Sequence, residues 1–274
     1  MIRELVKRCG ESPAEASGDG ALARAKLARF VAEVFSASTE AHAAALFDPA
    51  VRSDVAAACQ ALGLSAEIET CLQAMPKTPG ALIAECNGLL GHTVRSECPP
   101  YELEYERGDV FMQTQSLADI AGCYAAFGVA AEGALAERPD HVAAQWEFLA
   151  LLAMRECMTT FQRDDDGAGR FCDAERLFLR EHAARWMPAF FARIRRADGS
   201  AFYRAMAGLA DAGLRRWCAE LKVDIGPNWL ELRVVTDEDS TIECGAPGAT
   251  TVEIGPRLAA AMADGPHAEP ASCS

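Results

Sequence analysis

The sequence predicts an all-α protein, with one domain of about eight to ten helices followed by an acidic C-terminal tail. Apolar residues recur at three- and four-residue spacing through most of residues 21–221. Cap residues followed by proline separate these segments, and the sequence has no βαβ alternation and no internal repeat. Half of the 274 residues are apolar, which is enough for a sizeable core.

Composition divides the chain into three regions. Residues 1–20 end in a stretch of small and polar residues with little apolar surface, which predicts a flexible N-terminal arm. Residues 21–221 form the predicted helical domain. Residues 222–274 are predicted to be an acidic, partly disordered tail, because positions 223–274 hold nine acids and two bases, half of the formal net charge of −14. Two β-prone runs in this tail, 229–235 and 250–254, would support at most a short hairpin.

The first half of the helical domain is predicted from its caps. A first helix covers about residues 21–36. Asp48-Pro49 and Thr78-Pro79 each combine an N-cap residue with proline at the first helical position, and Ser65 is placed to cap a shorter helix between them. Four helices are therefore expected before residue 97.

The second half is predicted in the same way. An amphipathic helix covers Met112–Phe127, and Arg138-Pro139 opens the next and longest helix. Residues 163–169 are polar and Gly-containing, which predicts a flexible link. Pro188 should kink or break the following helix, because its ring clashes with the carbonyl four residues earlier. Ser200 caps the last helix.

The most unusual stretch is the loop at residues 97–106. Two adjacent prolines exclude helix interior and central strand there, so an exposed, rigid loop is expected. The loop is rich in tyrosine and glutamate: Glu97, Tyr101, Glu102, Glu104, Tyr105 and Glu106. Its glutamates are interpreted equally well as a solvated acidic surface or as a docking site for a partner.

A second polar group, Pro139-Asp140-His141, stands at the predicted start of the long helix. An acid in the first helical turn is stabilised by the exposed N–H groups, so Asp140 has a plain structural explanation. The functional hypothesis is that Asp140 and His141 present a polar contact at the mouth of a groove, facing a bound segment, and that the 97–106 loop forms the other half of this groove. His182, between Phe178 and Trp186 at four-residue spacing, is predicted to be a packed core histidine.

Charge and hydropathy exclude several classes of partner. A net charge of −14 repels nucleic-acid backbones and anionic lipids, so neither nucleic-acid binding nor stable membrane association is expected. No apolar run is as long as a membrane span, which needs about 18 to 20 residues. The N-terminus lacks the apolar core of a secretory signal. A cytoplasmic location and a basic partner are predicted.

The sequence contains no familiar catalytic or metal-binding motif. It has no Gly-rich phosphate loop, no nucleophile elbow and no His-Glu-x-x-His pair. No two of the eleven cysteines are within four positions, so no metal site and no disulfide framework is expected. A metal- or thiol-dependent enzyme that uses Cys98, His92 and His141 remains an alternative, because residues far apart in sequence can be neighbours in space.

Three separated motifs resemble those of the TorD/DmsD/NarJ family of molybdoenzyme assembly chaperones. They are Cys98–Tyr105 (CPPYELEY), Leu117–Gly128 (LADIAGCYAAFG) and Glu137–Phe148 (ERPDHVAAQWEF), in the family's order. The segments at 178–182 and 186–190 are similar to a later helix of the family. The resemblance covers about residues 22–220.

The resemblance implies a cytoplasmic, non-enzymatic chaperone with no cofactor of its own, which handles molybdopterin transiently at most. Its partner would be the apo catalytic subunit of a molybdopterin-containing oxidoreductase, together with that subunit's twin-arginine signal peptide. The implied binding residues are Pro100, Tyr101, Glu102, Glu104, Tyr105, Pro139, Asp140 and His141. A negatively charged groove would attract an arginine pair through charge-assisted hydrogen bonds. A molybdopterin carrier is a further alternative.

Overall fold

The computed structural model describes residues 15–37, 39–90, 97–106, 110–129 and 138–233. These residues are all-α, as predicted. The α-helices are α1 (Glu15–Phe35), α2 (Glu40–Ala45), α3 (Pro49–Ala61), α4 (Ser65–Gln73), α5 (Pro79–Leu90), α6 (Val110–Ala126), α7 (Val142–Phe161), α8 (Asp165–Phe178), α9 (Ala184–Arg196) and α10 (Ala201–Leu221). A 3₁₀ turn covers Glu102–Tyr105, and a π-helical turn, Leu179–Ala183, joins α8 to α9. None of the described helices is long and apolar enough to cross a membrane.

The core is built around the pair α1 and α7. Helix α8 packs on α7, α10 packs on α9 and α4, and α3 packs on α1. Large aromatic side chains fill the spaces between them; the Trp146 and Trp217 rings lie 6.3 Å apart, and the Phe35 and Phe190 rings 5.6 Å apart. These side chains are almost completely buried, so this core holds the loop at residues 97–106 against α7 and α9.

Several helix ends lie where the caps predict them. Asp48 Oδ1 accepts from the Ala50 N–H at 2.8 Å, and α3 begins at Pro49. Ser200 Oγ accepts from the Tyr203 N–H at 3.0 Å at the start of α10. In both cases the side-chain oxygen satisfies a backbone donor that has no partner within the helix.

Several helix boundaries differ from the prediction: the short helix α2 was not expected, and Leu64 rather than Ser65 is the N-cap of α4. Helix α1 begins at Glu15 rather than Ala21, so the last residues of the predicted arm are helical, and residues 1–14 lie outside the described residues. Helix α8 begins at Asp165, inside the predicted flexible link. The glycines suggested a flexible link, but Asp164 is an N-cap residue. Its Oδ1 accepts from the Gly167 N–H at 2.9 Å.

Pro188 neither breaks nor ends its helix. It lies inside α9, and the π-helical turn directly before α9 takes up an extra residue. Because proline has no N–H, it cannot donate to the carbonyl of Ala184, four residues earlier. That carbonyl accepts instead from the Gly226 N–H at 2.8 Å. The helix therefore continues past Pro188 without the predicted break, and another part of the chain supplies the donor that proline lacks.

The segment that follows α10 packs on the helical domain. Residues 222–233 form no strand, yet Leu230 and Leu232 are partly buried against the core while Trp229 and Glu231 are exposed. The weak alternation in the sequence thus corresponds to alternating burial of a non-helical segment that packs on the helices. The remainder of the predicted tail, including the run 250–254, lies outside the described residues.

A buried ionic cluster joins α1, α7, α8 and α10. Arg24 of α1, 3% exposed, contacts the carboxylates of Glu156, Glu175 at 3.5 Å and Glu220 at 2.5 Å. Trp217 Nε1 donates to Glu175 Oε2 at 2.8 Å. One guanidinium cannot neutralise three carboxylates in a poorly hydrated site, so burial raises the pKa of Glu175 to about 9, against the attraction of Arg24.

We expect Glu175→Gln to change how stability depends on pH. The unfolded chain loses this proton near pH 4.3, whereas the folded chain keeps it to about 9, so the unfolded state binds fewer protons between these values. The free energy of unfolding should therefore fall as the pH rises through this window. The glutamine, which resembles the protonated acid, should remove on the order of 2 kcal/mol of this fall between pH 6 and 8, measured by urea unfolding.

Glu220→Gln is the matched control for this prediction. Its side chain is 47% exposed, so water already stabilises its charge and the pH dependence should be close to that of the wild type. An unchanged pH dependence in Glu175→Gln would show that Glu175 is ionised in the folded protein.

Candidate functional site

The loop at 97–106 and the start of the long helix lie against each other. Tyr101 and His141 form an isolated antiparallel bridge. The Val142 N–H donates to the Pro100 carbonyl at 2.8 Å, and the Glu102 N–H donates to the Asp140 carbonyl at 3.0 Å. The two groups that the sequence analysis paired are therefore neighbours, joined directly by backbone hydrogen bonds.

Asp140 fastens this contact. Its side chain is completely buried, and Oδ1 and Oδ2 accept from Arg138 Nε and Nη2 at 3.0 and 2.8 Å. Oδ2 also accepts from the Leu103 N–H at 3.3 Å, which ties the 3₁₀ turn to the segment before α7. Burial raises the pKa of the Asp140 carboxyl, and the Arg138 guanidinium opposes this shift.

His141 is the N-cap of α7. Its Nδ1 accepts from the Ala143 N–H at 3.2 Å, and the helix begins at Val142. The prediction that Arg138-Pro139 opens this helix is therefore wrong, and Asp140 lies in the turn before it instead of the first helical turn. Pro139 serves another contact, because its carbonyl accepts from the Tyr124 hydroxyl at 2.7 Å.

Glu102 lies at the centre of a buried polar chain. It is 1% exposed; Oε1 is 3.2 Å from His182 Nδ1, and Oε2 accepts from Gln145 Nε2. Gln145 Oε1 in turn accepts from Trp186 Nε1 at 3.0 Å. The chain links the 3₁₀ turn to α7, the π-helical turn and α9. His182 is 8% exposed and packs 5.1 Å from the Phe178 ring, as the core-histidine prediction requires.

Glu104 holds an arginine. Its carboxylate Oε2 lies 3.8 Å from Arg233 Nε, and its carbonyl accepts from the Arg233 N–H at 2.9 Å. With the Gln113 amide oxygen turned towards Arg233, that oxygen accepts from Nε and Nη1 at 3.0 and 3.1 Å. Burial raises the pKa of Glu104, while the nearby guanidiniums of Arg233 and Arg138 lower it.

The two tyrosines of the loop differ in exposure. Tyr101 is half-buried, with its ring 5.1 Å from the His141 ring and 4.4 Å from the Arg138 guanidinium carbon. Tyr105 is buried against Trp186 at 5.3 Å, and the Arg193 guanidinium carbon lies 5.8 Å from its ring. Tyr101 therefore reaches the surface of the site, whereas Tyr105 supports it from below.

The expectation of an exposed acidic loop is wrong. Glu97 is exposed and Glu106 is half-buried, but Pro99, Pro100 and the whole turn Glu102–Tyr105 are buried. The carboxylates can be buried because His182, Gln145, Arg138 and Arg233 supply partners for them. Reversing the charge of Glu102, Glu104 or Asp140 would consequently disrupt the fold rather than test binding alone.

The alternative of a thiol enzyme is not supported by the cysteine it needs. Cys98 is completely buried, and this burial, reinforced by Glu97, raises the pKa of its thiol to about 11 against the effect of Arg193. Such a thiol is protonated at neutral pH and is a poor nucleophile. His92 lies outside the described residues. Within the part of the chain that the structure describes, no group of three His, Cys, Asp or Glu side chains could hold a metal ion.

Three contributors to the site were not predicted. Gln145 had a recognisable signal, because it is a polar residue between apolar neighbours in the first turn of its helix. Gln113 and Arg233 had none, since they reach Glu104 from α6 and from the segment after α10 only in the folded chain.

Comparison with known families decides the relationship. A family model described as the nitrate reductase delta subunit matches residues 45–192, more than half of the chain. The chain belongs to this family. The resemblance to the NarJ/TorD chaperones is thereby confirmed, and membership implies a role in the assembly of a molybdoenzyme. Chaperones of this family are generally non-catalytic.

No curated protein and no solved structure matches the chain. The match includes the 3₁₀ turn, Asp140 and His182, whereas Arg24 and Arg233 lie outside it.

Proposed function

We propose that this protein is a dedicated chaperone, which binds the apo catalytic subunit of a molybdopterin-containing oxidoreductase in the cytoplasm until its cofactor is inserted. The bound element would be an extended segment that combines arginine with apolar residues, as a twin-arginine signal peptide does. The molybdopterin belongs to the client in this proposal. No catalytic residue and no cofactor of its own is assigned to the chaperone.

The proposed preference for arginine is based on the contact between Glu104 and Arg233. The non-helical segment that ends at Arg233 lies beside the 3₁₀ turn. It donates a backbone N–H to the Glu104 carbonyl and places the Arg233 guanidinium between the Glu104 carboxylate and Gln113. A buried carboxylate and an amide oxygen suit the planar guanidinium better than the ammonium of lysine. The same groups could receive an arginine of a client.

The other residues of the site have supporting roles in this proposal. Asp140 and His141 hold the 3₁₀ turn against α7, and Glu102 connects it to the π-helical turn. Tyr101 and Pro139, both half-buried, form the outer rim that a client would touch. π-Helical turns frequently occur at functional sites, which agrees with the position of His182 beneath Glu102.

We expect Glu104→Gln to weaken client binding. The probe is a synthetic peptide with two adjacent arginines followed by leucines and alanines, and its affinity for the full chain is measured by isothermal titration calorimetry. Loss of the carboxylate should reduce this affinity by up to about tenfold, because the client's guanidinium loses its ion pair. A peptide with two lysines should bind more weakly than the arginine peptide to the wild type.

Glu69→Gln removes an exposed carboxylate from α4 and is the matched control, with unchanged affinity expected. In parallel, the tagged chain is purified from its native cells with and without molybdopterin synthesis. Enrichment of a molybdoenzyme catalytic subunit in cells without the cofactor supports the proposal. Absence of both peptide binding and subunit enrichment contradicts it.

A further inference from the structure

The segment at residues 224–233, which we call the strap, lies on the candidate site through backbone contacts. The Gly226 N–H donates to the Ala184 carbonyl at 2.8 Å, and the Leu230 carbonyl accepts from Arg193 Nη2 at 2.7 Å. The Arg233 N–H donates to the Glu104 carbonyl at 2.9 Å. The strap therefore runs from the start of α9 to the 3₁₀ turn.

The attachment point at Ala184 is created by Pro188. In an uninterrupted helix the Ala184 carbonyl would accept from the N–H four residues later, but residue 188 has none. The unused acceptor is satisfied by Gly226. A Cβ at position 226 would lie 2.5 Å from the Arg185 carbonyl oxygen and 2.7 Å from that of Ala184, so only glycine allows this approach.

The strap has the chemical character of the proposed client segment. Three of its apolar side chains pack against the core: Ile225, Leu230 and Leu232. Its Arg233 guanidinium lies between the Glu104 carboxylate and the Gln113 amide oxygen. It is thus a non-helical segment with several packed apolar side chains and an arginine at its end. Trp229 is 59% exposed and the strap has no helical hydrogen bonds of its own, so its attachment depends on its contacts with the helices and the 3₁₀ turn. It also lies outside the residues that match the family model.

We propose that the strap occupies the surface on which the arginine-bearing segment of the client binds, and that client binding displaces it. This inference rests on the proposed function. The client's arginine takes the place of Arg233 beside Glu104, and its apolar residues take the places of Leu230 and Leu232. The strap thereby lowers the apparent affinity for any segment that binds the site, since only the fraction of molecules with the strap released is competent to bind.

The test compares Arg233→Gln with the wild type, using the full chain and the two-arginine peptide. Without its guanidinium the strap holds less tightly, so the peptide should bind about fivefold more tightly. Adding Glu104→Gln to Arg233→Gln should weaken peptide binding about tenfold, because the client still needs the carboxylate while the strap no longer competes for it. Arg170→Gln, which removes the same charge from an exposed position on α8, should leave the affinity unchanged.

Hydrogen exchange supplies a readout of the strap itself. The Gly226 and Arg233 amides are held by carbonyls of α9 and the 3₁₀ turn, so peptide binding should increase their exchange. Gly226→Val, which cannot approach Ala184 and Arg185, should raise both the peptide affinity and the exchange of Arg233 before peptide is added. Circular dichroism shows whether this variant keeps its helical fold; Arg233→Gln tests the inference independently of it.

The outcomes separate the two proposals. Tighter peptide binding by Arg233→Gln together with faster exchange at Gly226 supports displacement of the strap. Peptide binding to the wild type that is unchanged in Arg233→Gln, with both amides still protected, overturns this inference and leaves the proposed function intact. Failure of the peptide and of the molybdoenzyme subunit to bind the wild type or any variant overturns the proposed function, and this inference with it.

Discussion

Arg24→Met is expected to lower the free energy of unfolding by about 3 to 5 kcal/mol, the usual cost of removing one partner from a buried ion pair. Methionine retains much of the apolar stem but leaves Glu156 without its cation in a site that α1, α7 and α8 close off from water. The contact of the guanidinium with the Trp217 ring, 5.5 Å from its centroid, is lost as well. Urea unfolding followed by circular dichroism measures the effect.

Arg29→Met is the matched control on the same helix. Arg29 pairs with Glu33, but its side chain is 59% exposed, so its removal should change stability by less than about 0.5 kcal/mol. The double variant Arg24→Met, Glu156→Gln should recover part of the loss, because it no longer buries an uncompensated charge. Equal effects of Arg24→Met and Arg29→Met would mean that water screens the cluster.

Asp140→Ala is expected to reduce both stability and client binding. It leaves the buried N–H of Leu103 without an acceptor and removes one partner of Arg138, which together should cost about 3 kcal/mol of unfolding free energy. Because the 3₁₀ turn is then no longer fastened to the segment before α7, we expect affinity for the two-arginine peptide to fall at least about tenfold. Denaturant unfolding and calorimetry measure the two effects.

Two variants control this prediction. Asp140→Asn keeps an oxygen for Leu103 and should lose about half as much stability as the alanine variant. Asp119→Ala removes an exposed acid from α6 and should change neither quantity. Loss of peptide affinity in Asp140→Asn without any loss of stability would contradict the positioning role and would indicate direct contact between this carboxylate and the client.

The helical fold was largely predictable because its signals are local. Asp48-Pro49, Thr78-Pro79 and Ser200 each mark a helix start by a side chain that reaches backbone groups within three residues. The start of α8 was missed for the same kind of reason: the glycines at 167 and 169 suggested a link, whereas Asp164 supplies a cap. Local chemistry was therefore sufficient to predict all of these helix starts, but at α8 the glycines were given more weight than the Asp164 cap.

The site could be predicted only in part. The motifs pointed to the 97–106 loop and to Asp140-His141, and these do lie together. Their burial was not predictable, because it depends on partners far away in the sequence. Glu102 reaches His182, 80 residues later, and Glu104 reaches Arg233. A carboxylate has the same local appearance whether it faces water or a distant cation.

The sequence by itself determined the all-α class, the positions of most helix starts and the two polar groups of the site, because hydrophobic period, caps and prolines act within one or two helical turns. Only the tertiary structure decided that the acidic loop is buried, that Arg24 is surrounded by three carboxylates and that the strap lies on Glu104. Each of these depends on packing between segments that are remote in the chain. Pro188 connects the two levels: its missing N–H is a local fact, but only the fold brings Gly226 to the carbonyl that it leaves unpaired.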